Sequence, residues 1–320
     1  MATYKEIHGV NVQYRSEDAT AIEGDVWYNS ASGLLKMYSA VGSWATGGVM
    51  GTARVYMAGC GTIPAGIIMG GGPGDKAEAE TYDGSSWTEV GDLNTARDQP
   101  SGCGTQTAAL SISGNPGGSA AVIVELYNGT AWTEIADINT ARRSANAAGT
   151  STAAIYIGGG LGPPGVKDET ESWNGTSWTE VADQNTARFY AGGCGVSTSA
   201  IIFGGGTPTV IASVETWDGS SWTEVADIPT AMNDFSGSGT SSDDALAIGG
   251  PPGITAVNSF NGTAWASENA MNLGRSSQAK SSCGPAAACF VAGGTTPAQA
   301  VATSSEEWTY AASIQTVAFD

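Results

Sequence analysis

Apolar and polar residues alternate along this chain in a pattern that returns every 43 to 46 residues. Each copy contains an apolar strand that ends in glycines, a variable loop, and two short strands joined by an Asp-Gly or Asn-Gly turn. The clearest copy runs Ile201-Ile202-Phe203-Gly204-Gly205 and then Glu215-Thr216-Trp217-Asp218-Gly219-Ser220-Ser221-Trp222. The matching tryptophans are Trp44, Trp87, Trp132, Trp178, Trp222 and Trp265. A period of that length, with a hairpin in each copy, is typical of propellers and solenoids.

The full repeat comprises four predicted strands, and its apolar strand with glycines occurs six times. A Gly-, Ala- and Ser-rich strand precedes it and suits a crowded axis, whereas the wide Trp and Tyr residues suit outer gaps. The Asp-Gly and Asn-Gly turns tolerate the positive φ that tight hairpins need. We therefore predict an all-β fold with a six-bladed β-propeller over residues 51–320, its last blade completed by residues 314–319. A seven-bladed alternative stays open, in which residues 26–28, 34–38 and 43–46 form strands of another blade.

Residues 1–50 depart from the repeat and form a separate predicted segment. Residues 24–38 are typical of a hairpin, because two β-favouring runs flank an Asn/Ser/Gly turn. Three short strands are too few to be stable alone. We therefore expect an N-terminal β arm that packs on another body. Its candidate attachment residues are Tyr4, His8, Tyr14, Trp27 and Tyr28.

Composition and charge narrow the function classes. Charged residues make up 13% of the chain and glycines number 46, which is typical of turn-rich β proteins. The net charge of −19 repels phosphates, so we expect no nucleic-acid partner. No apolar run is long enough for membrane insertion, and the first residues lack the apolar core of a signal peptide. A single histidine cannot build a typical transition-metal site, so we expect no metal and no other cofactor.

Two sets of residues recur at fixed positions of the repeat and are interpreted as structural. One position holds Ala148, Ser238 and three cysteines, which indicates a small buried side chain there: Cys60, Cys103 and Cys194. Another position holds arginines, at Arg54, Arg97, Arg142, Arg188 and Arg275. Acids precede several of these arginines, at Asp92, Asp137 and Asp183. We expect Arg–Asp bridges between adjacent strands or blades rather than an anion-binding ring.

The order of apolar strand, double glycine, aromatic residue and tryptophan resembles the kelch repeat. Gly158-Gly159, Tyr127 and Trp132 match the family's double glycine, third-strand tyrosine and fourth-strand tryptophan, and the likeness covers about residues 52–320. The resemblance implies a propeller but no particular function, because one fold hosts unrelated sites.

A second resemblance lies in the N-terminal segment. The run Ile22-Glu23-Gly24-Asp25-Val26-Trp27-Tyr28-Asn29-Ser30, followed by residues 34–38 and 42–44, looks like a segment of tail-fibre and other virion proteins of bacteriophages, notably marine ones. It implies a structural component of a phage particle, made in the host cytoplasm and attached to other virion proteins through the N-terminal arm. No catalytic residues come with this resemblance.

The loops after the double glycines vary in length and content. Because they fill one position of the repeat, they should share one face, and loops on a rigid scaffold usually carry binding specificity. Unselected surface is the alternative interpretation. The candidate partner-binding residues are Asp75, Lys76, Asn115, Pro163, Lys167, Asp168, Pro208, Thr209, Pro252 and Pro297.

We therefore expect a non-enzymatic phage virion protein of the tail-fibre or adhesin type. Its loop face would bind a host-surface glycan or receptor, or a neighbouring virion protein. A capsid decoration or scaffold protein without a receptor is the first alternative. A glycan-cleaving propeller enzyme is the second, although the repeats offer no convergent acid pair or nucleophile. Homo-oligomer formation stays open.

Overall fold

The computed structural model describes residues 12–18, 25–161, 165–251, 253–279 and 284–317. Tyr4, His8, Pro163 and Pro252 lie outside these ranges, so the expectations for them stay predictions. Within the described residues the chain is all-β, with one short 3-10 helix at Pro116–Gly118. This agrees with the predicted fold class.

In the part of the chain that the structure describes, twenty-five strands form six sheets. Five sheets have four strands each, in the orders β4-β5-β6-β7, β11-β10-β9-β8, β12-β13-β14-β15, β16-β17-β18-β19 and β20-β21-β22-β23, and one has five, in the order β1-β2-β3-β25-β24. The strands are β1 (Val12–Arg15), β2 (Val26–Asn29), β3 (Leu34–Val49), β4 (Ala58–Thr62), β5 (Ala65–Met69), β6 (Ala79–Tyr82), β7 (Trp87–Val90), β8 (Ser101–Thr105), β9 (Ala108–Ile112), β10 (Val124–Tyr127), β11 (Trp132–Glu134), β12 (Asn146–Gly149), β13 (Ala154–Gly160), β14 (Val166–Trp173), β15 (Trp178–Glu180), β16 (Gly192–Val196), β17 (Ser199–Phe203), β18 (Val214–Trp217), β19 (Trp222–Val225), β20 (Ser236–Ser241), β21 (Asp244–Ile248), β22 (Val257–Phe260), β23 (Trp265–Ser267), β24 (Ala288–Ala292) and β25 (Ser304–Thr316).

Each four-stranded sheet is an antiparallel meander, as the repeat predicts. The third and fourth strands meet in a tight turn, for example where Trp217 pairs with Trp222 across Asp218 and Gly219. Gly219 has a φ of 95°, and the Asp218 carboxylate accepts the backbone N–H of Ser220 and the next residue at 2.8 Å each. The short polar side chain and the glycine therefore fix this turn.

The last sheet differs from the prediction. Residues 314–316 continue β25 and do not form a separate fourth strand; β25 instead pairs with β3 from the start of the chain. Near this pairing the Met50 N–H donates to Thr303 O at 2.8 Å, and the Ser305 hydroxyl donates to Gly48 O at 2.6 Å. Residues 44–49 of β3 therefore supply the outer strand next to the first part of β25.

Two compact units divide the chain. The larger comprises residues 44–308, and the smaller comprises residues 1–43 with 309–320. In the smaller unit β2 and β3 form the predicted hairpin, in which Val26 pairs with Met37. β1 pairs parallel to β2, a contact that the sequence pattern did not indicate.

The core of the larger unit lies between neighbouring sheets. Phe203 and Val214 of one sheet, for example, pack with Phe235, Ala245 and Phe260 of the next, all nearly inaccessible to solvent. Small residues of the first strands pack closely, as predicted. The position predicted to need a small buried side chain is fully buried in every copy described, which confirms that prediction: Cys60, Cys103, Ala148, Cys194 and Ser238.

Candidate recognition site at the loop end

All five repeated arginines form ion pairs inside the sheets. Each is fully buried and contacts a buried glutamate on the third strand of its own sheet at 2.5–2.9 Å, in the pairs Arg54–Glu80, Arg97–Glu125, Arg142–Glu171, Arg188–Glu215 and Arg275–Glu306. The structural interpretation of the arginines is confirmed, but the predicted aspartate partners are wrong. Asp92, Asp137 and Asp183 are exposed to solvent. The glutamates face the sheet interior, whereas these aspartates follow the outer strands.

The pair in the fourth sheet shows how the charges are satisfied. Arg188 also donates to the backbone carbonyls of Ser213 at 2.7 Å and Gly204 at 3.1 Å. Glu215 accepts the backbone N–H of Asn185 at 2.7 Å and of Thr186 at 3.2 Å. Burial lowers the pKa of Arg188, and the adjacent carboxylate of Glu215 opposes that shift. These groups hold the entering loop against its sheet and leave no charge for a ligand.

The fifth sheet lacks this pair as a whole. Met232 occupies the arginine position and Asn258 the glutamate position. Pro229 occupies the position of Asn185, whose backbone N–H the glutamate would accept. Because proline has no N–H, the donor disappears together with both charges. Three linked differences within one chain indicate that the arginine, glutamate and loop donor act as a unit.

Six residues that follow these arginine positions adopt an unusual backbone conformation. They lie two residues after each arginine, or after Met232, and have φ between 53° and 58°. We call them the axial ring; they are Tyr56, Gln99, Ser144, Tyr190, Asp234 and Ser277. The left-handed region costs a non-glycine residue on the order of 1 kcal/mol, and such strain clusters at functional sites. At most other positive-φ positions this chain has glycine. The axial ring therefore carries side chains at six positions where glycine would cost less backbone strain.

Hydrogen bonds join the axial ring into a closed circuit. The backbone N–H of Gln99 donates to Tyr56 O at 2.9 Å, and the ring continues through four further backbone bonds of 2.7–3.0 Å between Tyr190 and Ser144, Asp234 and Tyr190, Ser277 and Asp234, and Tyr56 and Ser277. The remaining link is made by side chains, because the Ser144 hydroxyl donates to Gln99 Oε1. Every sheet of the larger unit contributes one residue, so this circuit marks a common axis.

Two tyrosines meet across the ring. The aromatic centroids of Tyr56 and Tyr190, which come from the first and fourth sheets, are 6.0 Å apart. The Tyr190 hydroxyl donates to Gln99 Oε1 at 2.9 Å. Burial raises the pKa of Tyr190, and the carboxylate of Asp234 adds to the shift. These side chains fill the centre of the ring and form a floor that is aromatic and polar.

Four residues surround this floor and are here called the rim group: Asp98, Asn115, Arg143 and Phe189. Arg143 Nη1 donates to Asn115 Oδ1, which links the second and third sheets. Gln99 Nε2 donates to Asp98 Oδ2 at 3.3 Å. Asp98 Oδ1 is buried and has no hydrogen-bond partner among the described residues. The ring of Phe189 packs against Tyr190 with centroids 5.0 Å apart and planes at 63°.

Arg143 differs from every other described cation in residues 44–308. Each of the other lysines and arginines described there lies within 4.0 Å of a carboxylate, but Arg143 does not. Its side chain is half-buried and, among the described residues, bonds the neutral Asn115 amide. A cation without a carboxylate partner, in a chain with a net charge of −19, is notable.

The predicted loop residues contribute unequally to this site. Of those described, Asn115 belongs to the rim group. Lys76 and Lys167 form ion pairs with Glu78 and Glu169 in their own loops. Three further members accept hydrogen bonds from backbone N–H groups: Asp75 from Gly117 at 2.6 Å, Asp168 O from Gln184 at 3.0 Å, and Thr209 O from Thr207 at 2.9 Å. The two remaining prolines are exposed, and Pro208 follows a cis peptide bond: Pro208 and Pro297.

Sequence reasoning missed the axial ring. The available signal was a position that changes from Tyr to Gln, Ser and Asp shortly after a Thr-Ala-Arg segment that recurs in most copies of the repeat. This position lies two residues after each repeated arginine, or after Met232, and outside the variable loops.

The other end of the first strands holds a cavity of about 280 Å³. Its walls are mostly glycine backbone, and Gly61, Gly104, Gly149, Gly195, Gly239 and Gly284 all line it. Gly61 has a φ of 95°, and a Cβ there would lie 2.2 Å from Ala65 O, which together explain the glycine at this position. Among the described residues that line this cavity, none carries a charged side chain.

The described attachment candidates occupy different environments in the smaller unit. Trp27 is fully buried and donates to Asp18 Oδ1 at 3.1 Å, with the Arg15 guanidinium 5.2 Å from its ring centroid. Tyr14 is 78% exposed and stacks on Tyr28 with centroids 5.5 Å apart. The two tyrosines therefore form a surface feature, whereas Trp27 is a core residue of this unit.

The described residues contain neither a cluster of potential metal ligands nor a membrane-spanning helix. No group of three or more His, Cys, Asp or Glu side chains there could hold a metal ion. No described helix is long and apolar enough to cross a membrane.

Comparison with known proteins identifies the architecture. No protein-family model matches the chain, and no curated protein matches its sequence. The solved structure of YjhT, a kelch-type propeller, superimposes with a TM-score of 0.69 over 83% of this chain and 99% of YjhT, at 11% sequence identity. The fold is of the β-propeller type. At this identity the likeness shows the fold alone, and no link to tail-fibre proteins emerges from it.

Proposed function

We propose that this chain is a non-enzymatic recognition protein of a phage particle, built as a six-bladed, kelch-like propeller. The N-terminal segment attaches it to other virion proteins, and the loop end, where the axial ring and the rim group lie, binds a partner on the host surface. The single observation that carries the recognition role is the axial ring, where six side chains of four kinds lie at positions that glycine would occupy at a lower backbone cost.

Two observations, the sheets and the axial ring, support the proposal of six blades. Five four-stranded sheets alternate with long loops, and a sixth sheet combines β24, β25 and β3. One residue from each joins the closed hydrogen-bond circuit. Residues 26–28, 34–38 and 43–46 belong to the sixth sheet, which favours six blades over seven.

Binding rather than catalysis is supported by where the charges lie. The repeated arginines and glutamates neutralise one another inside the sheets. The loop end retains aromatic, amide and hydroxyl groups together with Asp98, Asp234 and Arg143.

Attachment through the smaller unit is supported by its exposed apolar surface. Val12 is 40% exposed, Tyr14 78% and Leu34 43%, and a cavity of about 430 Å³ is lined by Val12, Tyr14, Tyr28 and Leu35. Contiguous exposed apolar groups of this kind mark interaction sites on many proteins. The resemblance of residues 22–44 to phage virion proteins supplies the class of partner.

The test of the recognition role is binding of the purified full-length chain to host cells. Fluorescently labelled protein should bind cells that the particle infects, and Arg143→Gln combined with Phe189→Ser should reduce that binding at least tenfold. Val196→Ser, a change at the opposite end of the first strands, should leave it unchanged. Equal binding by all three proteins would contradict a loop-end site, and an absence of cell binding would favour a decoration protein without a receptor.

A further inference from the structure

We propose that the axial ring and the rim group bind the face of a neutral pyranose sugar. This inference rests on the proposed recognition role and names the class of ligand. The groups on which it depends are the Phe189 and Tyr190 rings, Asp98 Oδ1, and the Arg143 guanidinium with its Asn115 partner.

The aromatic groups supply a stacking surface. Tyr190 lies between Phe189 at 5.0 Å and Tyr56 at 6.0 Å, measured between ring centroids. All three lie at the loop end, and Tyr56 and Tyr190 are only partly buried. The C–H face of a pyranose packs on such rings, since aromatic side chains combine a broad apolar surface with a polar edge.

The polar groups supply both acceptors and donors. Asp98 Oδ1 is a buried acceptor without a hydrogen-bond partner among the described residues, which costs free energy unless a ligand or water donates to it. Arg143 has five N–H donors, of which Nη1 bonds Asn115. Sugar hydroxyl groups both donate and accept, so adjacent hydroxyls can bond Asp98 and Arg143 together.

Electrostatics favours a neutral sugar over an acidic one. The loop end carries Asp98 and Asp234 against one unpaired cation, Arg143, in a chain with a net charge of −19. An anionic sugar would meet one attractive charge, two repulsive ones and an unfavourable long-range field. A cationic ligand would leave the half-buried Arg143 facing a like charge. A neutral ligand satisfies all three groups by hydrogen bonding.

The experiment uses the full-length protein and an array of multivalent glycans in three classes: neutral hexosides, uronic and sialic acids, and amino sugars. We expect binding to at least one neutral class, and saturation transfer NMR with the corresponding methyl glycoside should show contacts with aromatic protons. Phe189→Leu and Asp98→Asn should each weaken binding about tenfold or more. Thr105→Ala, at the opposite end, is the matched control and should bind as the wild type does.

The folding of each variant is checked by circular dichroism before its binding is interpreted, and Phe189→Tyr keeps the stacking surface should Phe189→Leu unfold. Binding only to acidic sugars, no binding to any neutral class, or neutral binding that survives both substitutions would each overturn the inference. If host-cell binding still depends on Arg143 and Phe189 while no neutral sugar binds, the recognition role stands and the ligand class is wrong.

Discussion

Replacing Arg188 by methionine tests whether the buried ion pair acts as a unit. Glu215 would remain 1% exposed without its cation, although the backbone N–H groups of Asn185 and Thr186 would still donate to it. Removing one partner of a buried pair costs about 3–5 kcal/mol, and the retained N–H donors place the cost of Arg188→Met near the lower end. Glu215→Asn should cost a similar amount, because Arg188 keeps only carbonyl and hydroxyl acceptors.

The double variant copies the fifth sheet, which has Met232 and Asn258 at these positions. Both charges vanish together, so Arg188→Met with Glu215→Asn should cost about 3 kcal/mol and not the roughly 6 kcal/mol of independent losses, a coupling of about 3 kcal/mol. Adding Asn185→Pro, which copies Pro229, removes a backbone donor that has lost its acceptor and should recover about 1 kcal/mol.

The assay is equilibrium unfolding in urea, followed by tryptophan fluorescence and by far-ultraviolet circular dichroism. Coincident transitions are required before free energies of unfolding are compared. Additive losses in the double variant, or no recovery with Asn185→Pro, would refute the interpretation of the arginine, glutamate and loop donor as one unit.

Three further predictions concern the turns, the thiols and the packing of the first strands. Hydrogen bonds from Ser220 and the next residue lower the pKa of Asp218 from 3.8 to about 2. The contribution of Asp218 to stability should therefore be complete above pH 3.8 and lost as the pH falls through 2. NMR titration of the Asp218 carboxyl carbon measures this pKa, and a midpoint near 3.8 would contradict the prediction. Burial raises the pKa of the Cys103 and Cys289 thiols to about 12, so in a Cys283→Ser background a thiol reagent at pH 8 should label the protein only in denaturant, and labelling at native rates of free cysteine would disprove their burial. Gly237→Ala would place a Cβ 2.4 Å from the backbone of the neighbouring first strand and should destabilise the fold by about 1–3 kcal/mol in urea unfolding, whereas an unchanged midpoint would show that the strands can separate.

The repeat made the sheets predictable from the sequence. Hairpins such as that at Asp218 and Gly219 depend on local turn chemistry, and the small first strands depend on burial that recurs in every copy. Local patterns of this kind survive in the folded protein because each copy meets the same neighbours.

The last sheet and the partners of the arginines were not predictable in the same way. The sequence predicts a separate strand at residues 314–319 because they follow Trp308, but residues 314–316 continue β25, which pairs with β3. Asp183 precedes Arg188 by only a few residues, yet the longer Glu215 side chain reaches the guanidinium from inside the sheet at 2.6 Å. Both features depend on contacts between distant residues, which spacing alone does not reveal.

The candidate site was only partly predictable. The variable loops lie at the end of the sheets where we propose the site, and Asn115 lies in the rim group. The axial ring escaped notice because its signal is a backbone conformation, the positive φ of residues such as Tyr190, which sequence variation shows only indirectly.

The most direct test of the central claim is antibody labelling of intact particles, viewed by electron microscopy. An antibody against residues of the exposed Asp218 turn, which lies away from the loop end, leaves the recognition site free. We predict that the wild-type protein is labelled at the tips of tail fibres. Particles with the combined Val12→Ser and Tyr14→Ser variant should lose the label, although the variant protein stays soluble in the cell. Leu161→Ser changes an exposed apolar residue of the larger unit and is the control that keeps the label. Particles that carry no label at any position would contradict the account.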